Sequence, residues 1–184
     1  GDVSLAYQNE WDLSNGMPLG FNFGANISNI GAKMTYNSQT TERDFIPTNL
    51  RLGYALKFGI DDYNSITFTN DFNKLMVPSE GGQSDRGLLS GMFGSFGDAD
   101  GGFQEEMQEV MMSFGLEYWY NDLFSVRGGY FWEAPNKGDR QFMTLGAGLK
   151  FKVFTLDFAY LVSFDNTHPL RNTLRFGLGL AFDS

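Results

Sequence analysis

The chain has 184 residues, a formal net charge of −9, 19% charged residues, 16% aromatics, 23 glycines and no cysteine. The acidic balance excludes a nucleic-acid partner, because phosphate binding needs a basic face, and the lack of cysteine excludes disulfides and thiolate metal sites. No run of about eighteen apolar residues occurs, which excludes a membrane-spanning helix, and a mean hydropathy of −0.26 does not argue against membrane strands, half of whose side chains point away from lipid.

The predicted elements share a period of two. VSLAY near the start, LGFNFGANISNIGAKMTY from Leu19 and NSITFTNDFN from Asn64 alternate apolar with small or polar residues, as strands with two unlike faces do. The second of these changes phase around Asn29, and a β-bulge near Asn29–Gly31 is expected to absorb the shift. In NLRLGYALKF, Leu50, Leu52, Tyr54, Leu56 and Phe58 oppose Arg51, Gly53, Ala55 and Lys57. The pattern returns in SFGLEYWY, FSVRGGYFW, MTLGAGLKFKV and FTLDFAYLVSF. It closes the chain in NTLRFGLGLAFDS, where Leu174, Phe176, Leu178, Leu180 and Phe182 alternate with Thr173, Arg175, Gly177, Gly179 and Ala181. A soluble sheet would coat the second face with Lys, Glu and Thr. A face of small residues and a few charges suits a barrel lumen instead, with the apolar face toward lipid.

These segments make about nine strands, most near the ten residues that a tilted membrane strand needs. Their connections alternate. Short turns are expected at Asp61–Asn64, Tyr120–Asp122 and near Val153, a somewhat longer one at Trp11–Pro18, and long polar segments at 37–47, 77–108, 134–140 and 165–171. Outer-membrane barrels alternate short periplasmic turns with long extracellular loops in this way. Tyr36, Tyr63, Tyr118, Trp119, Tyr120, Tyr130 and Trp132 crowd the strand ends, as interfacial aromatic girdles do. The expected fold is therefore all-β: an antiparallel transmembrane β-barrel in the bacterial outer membrane, in contact with outer-membrane lipid. Single-chain bacterial barrels have even strand numbers, and an open meander would leave unpaired edges in lipid. The odd count makes residues 1–184 the expected C-terminal portion of one larger barrel domain. Roughly five preceding strands would bring the total to about fourteen.

Several stretches carry a resemblance: NISNIGAKMTY (26–36), FIPTNLRLGYAL (45–56), DDYN (61–64), NKLMVP (73–78), GLEYWYND (115–122), VRGGYF (126–131) and HPLRNTLRFGLGLAF (168–182). They resemble the PorV (LptO) family of outer-membrane proteins of the type IX secretion system. The resemblance implies a FadL-like barrel of fourteen strands. It also implies a non-enzymatic carrier that takes cargo from the translocon barrel by the cargo's C-terminal signal domain. The carrier then passes the cargo to the surface attachment complex containing a PorU-type sortase. The alternative is a FadL-like channel for hydrophobic small molecules, against which the small and polar lumen positions weigh.

No residue set calls for catalysis, a cofactor or a metal. His168 lies in FDNTHPLRN near Ser163 and Thr167, but nothing fixes a Ser–His pair with an orienting group. GDADGG offers Asp98 and Asp100 in a D-x-D-G spacing, without the following Glu of a calcium loop. Asp61 and Asp62 read as turn residues. The loop 77–108 carries the partner-binding candidates. Its core RGLLSGMFGSF displays Leu88, Leu89, Met92, Phe93 and Phe96 among glycines, and FQEEMQEV after it can form about two helical turns. An apolar extracellular loop of this length is costly in water unless it docks on something, a partner protein in the preferred reading or its own lumen as a plug in the alternative.

Overall fold

The computed structural model describes residues 1–14, 16–35, 43–78, 87–163 and 173–181. Nine strands follow one another in a single antiparallel meander, each paired with its sequence neighbour: β1 (Val3–Asp12), β2 (Pro18–Ser28), β3 (Asn49–Gly59), β4 (Asn64–Leu75), β5 (Met111–Tyr120), β6 (Phe124–Trp132), β7 (Gln141–Phe151), β8 (Phe154–Ser163) and β9 (Thr173–Leu180). Two short helices, α1 (Leu88–Gly94) and α2 (Phe103–Gln108), interrupt the connection between β4 and β5. The sheet is open within the described residues: β1 and β9 each pair on one side only.

Register turns the alternation of single strands into two continuous faces. Leu52 lies opposite Phe72, Leu56 opposite Phe68 and Phe58 opposite Ile66, and the series continues through Leu116, Val126, Leu145, Phe158 and Phe176. Between them run the small and polar residues of the other face, such as Gly115, Arg127, Gly146 and Asp157. There is almost no core in the usual sense. Among the described residues the buried apolar side chains are Phe45, Met76, Met92, Ala134 and Leu161, while Leu5, Leu116, Leu145, Leu156, Phe176 and Leu178 lie exposed on the apolar face. A contiguous apolar surface of this extent is far larger than water-soluble monomers present.

The turns follow from their residues. Asn121 and Asp122 adopt φ of 51° and 49° between β5 and β6, a left-handed region that Asn and Asp tolerate. Lys152, at φ 53°, and Val153 link Phe151 to Phe154 in two residues. The Asp61 carboxylate accepts the backbone N–H groups of Tyr63 at 2.8 Å and Asn64 at 2.7 Å, and these bonds hold its pKa below the usual range. Short turns at one end and longer connections at the other thus alternate as the sequence predicts.

The phase change is taken up at Asn29. β2 ends at Ser28, and beyond Asn29, at φ 59°, Ile30 exchanges both backbone hydrogen bonds with Gly1 at 2.6 and 2.8 Å. That pair is one residue out of the register that pairs Val3 with Ile27, so an extra residue stands there as the expected bulge requires. The backbone N–H of Asn29 donates to Asp2, and its carbonyl accepts from Thr48 Oγ1 at 2.9 Å. These bonds satisfy the backbone groups of the extra residue. Tyr36, Phe182 and the loop at 165–171, with Thr167 and His168, lie outside the described residues, as do parts of the loops at 37–47 and 77–108.

Candidate functional site

The partner-binding candidates sit on α1 and just beyond it. Helical spacing divides them. Leu88 and Met92, four residues apart, turn inward, and Met92 is 2% exposed. Leu89 and Phe93, also four apart, turn outward at 63% and 64% exposure. Phe96, past the helix end, is partly exposed and faces the apolar side of the sheet. A Cβ at Gly91 would come within 2.5 Å of the Phe45 ring, so only glycine lets the helix lie that close. Lys33 covers the same ring with its ammonium 4.3 Å from the centroid. Ser95 is fully buried, and its hydroxyl donates to the Met92 carbonyl at 2.7 Å.

An ion network holds α2. The ammonium of Lys74 in β4 donates to Glu106 at 2.9 Å and to Glu109 at 2.6 Å. Glu106 also accepts the Ala99 N–H at 2.9 Å. Lys137, between β6 and β7, reaches Glu105 at 2.7 Å and Glu109 at 3.1 Å, and Asn136 donates to Gln108. Two loops from different hairpins are thus tied together. Burial pushes the Glu106 carboxyl up, but the bonds from Lys74 and Ala99 outweigh it and leave its pKa below the usual carboxylate value. The bond from Lys137 likewise lowers Glu105, and that from Arg140 lowers Glu133.

Lys74 is the residue that sequence reasoning passed over. It occupies a position opposite Leu50, in the apolar phase of its strand, unlike Lys57 and Lys150 on the polar face. A lysine there needs a carboxylate partner, and the acidic FQEEMQEV supplies one. That phase violation was the available signal. Phe103, 81% exposed, and Met107 extend the apolar display and were likewise not singled out.

The polar face is built differently. Arg127 on β6 bonds to Glu117 on β5 and reaches across β7 to Asp157 on β8. Gly148 makes that reach feasible: a Cβ there would lie 2.5 Å from Ser125 Oγ and 2.9 Å from Asp157 Oδ1. Thr67, Thr69, Asp71, Thr144 and Arg175 line the same concave surface. Ser163 is buried at the end of β8. No three His, Asp or Glu side chains converge as a cation would need among the described residues, Asp98 and Asp100 included.

No curated protein sequence matches the chain. The family model that does match covers residues 2–81, from β1 through β4, and leaves the motifs at 115–122, 126–131 and 168–182 beyond its reach. It describes the type IX secretion system protein PorV, to which residues 2–81 of this chain are similar.

Proposed function

We infer that the chain acts in type IX secretion as the wall and docking loops of an outer-membrane β-barrel that carries secreted cargo. The apolar face of the sheet meets lipid, the polar face lines the lumen, and further strands close the unpaired edges of β1 and β9, since open edges are not tolerated in hydrocarbon. About fourteen strands in all fit the family resemblance. The long connections face the cell exterior, where α1 meets the cargo's C-terminal signal domain or the translocon, and the cargo then passes to the sortase complex.

The observation that carries this reading is the Leu89–Phe93 pair, two large apolar side chains held outward on a helix anchored by Met92, Gly91 and Phe45. Recognition energy in protein interfaces concentrates in such anchors, and fixing them beforehand lowers the ordering cost of binding. Residues 77–108 make the docking loop of a single barrel domain.

The test is the double substitution Leu89→Ser/Phe93→Ser in cells that depend on this protein for secretion. Neither residue belongs to a strand, so barrel abundance in the outer membrane stays normal while surface cargo falls. Normal surface cargo at normal barrel abundance would remove α1 from the docking role.

A further inference from the structure

α2 lies over the apolar face of the sheet and not over its polar face. Its Glu106 is bonded to Lys74, which shares a face with Leu50 and Phe72. Between helix and sheet is a cavity of about 220 Å³. One wall is Leu50, Leu52 and Phe72 of β3 and β4; the opposite wall is Phe103, Met107 and Val110, with Phe96 at the margin. The polar side chains that border it are engaged elsewhere, Lys74 and Glu106 with each other and Asn73 with Asn49 and Arg51, so a chain entering the cavity desolvates no free charge.

We propose that this cavity takes an acyl chain of an outer-leaflet membrane lipid, so that α2 clasps a lipid against the barrel wall. The proposal rests on the reading of the apolar face as the lipid-facing one. Its strand wall is continuous with that face, which lets a chain slide in sideways from the bilayer. Phe103, at 81% exposure, and Met107, at 44%, would be costly apolar surface in water and are at home beside hydrocarbon. With Lys74 and Glu106 spent on one another, the site grips the chain and does not select a headgroup. α1 turns Leu89 and Phe93 to the outside, so one loop serves a partner and a lipid with different residues.

The whole protein, reconstituted in nanodiscs of phosphatidylethanolamine carrying a diazirine at the acyl terminus, is irradiated and digested, and adducts are mapped by mass spectrometry. Two sites are expected to react: the apolar positions of β7, such as Leu145, and the segment 103–110. Val110→Phe, which fills the cavity, is expected to reduce the 103–110 adduct several-fold and leave β7 unchanged. Adducts on β7 without any on 103–110 would overturn the lipid site alone, as would 103–110 adducts that survive Val110→Phe or are matched at Leu89. An absence of adducts on β7 would overturn the membrane reading and the lipid site with it.

Discussion

Arg127 shows what a single residue does on the polar face. It bonds to carboxylates on β5 and β8, three positions apart in the sheet, and the strand it crosses, β7, carries Gly148 where a side chain would meet the Asp157 carboxylate and the guanidinium. That glycine is therefore a space for a side chain, and it is not equivalent to glycines elsewhere on the polar face. At Gly179 the nearest side-chain atom to an added Cβ is 3.5 Å away, an ordinary contact. Gly148→Val should destabilise the sheet by about 1–3 kcal/mol through overpacking, while Gly179→Ser should cost little. On the other face, Leu178→Arg should cost roughly 2–4 kcal/mol if its site lies near the bilayer midplane. Urea unfolding in lipid vesicles measures all three. Equal tolerance at Leu178 and Gly179 would mean that the two faces had been assigned wrongly.

At the scale of elements, the strands were legible and the loop helices were only partly so. A period of two is local, and FSVRGGYFW delimits β6 residue for residue. NSITFTNDFN lies wholly within β4. The phase change at Asn29 is legible in the same way: one extra residue lies between Ser28 and the Gly1–Ile30 pair, and its backbone is satisfied by Asp2 and Thr48 from distant parts of the chain. α2 was foreseen from FQEEMQEV, but α1 was not. Its glycines disfavour a helix intrinsically, and Gly91 is there for the Phe45 ring, a tertiary contact. The apolar loop residues were visible in composition, but which of them face outward depends on that packing.

The ion brace makes α2 sensitive to acid. The Glu106 and Glu105 carboxyls are held below their usual value of 4.5 in the folded loop. A depressed carboxyl contributes stability that is fully present above its unfolded pKa and is lost as pH falls through the folded one. The chain has no cysteine, so a nitroxide on Gln104→Cys reports α2 alone. Its motion should stay restricted from neutral pH down to the ordinary carboxyl value of 4.5 and be released only as the pH falls further below it. With Lys74→Met it should be released at neutral pH too. Restricted motion down to the acid limit, or in the Lys74 variant, would show that apolar contacts alone hold the helix.

At the scale of the whole molecule, function depends on orientation. The sheet buries almost none of its apolar face, its short and long connections alternate in position, and α1 stands on a long connection. These features make sense together if the apolar face meets lipid and the long connections reach the cell surface. Single cysteines at Ser90 on α1 and at Asn121 in the β5–β6 turn, both exposed, test this most directly. An impermeant thiol reagent added to intact cells should label Ser90→Cys and leave Asn121→Cys untouched until the outer membrane is permeabilised. Labelling of Asn121→Cys in intact cells, with Ser90→Cys protected, would contradict the account.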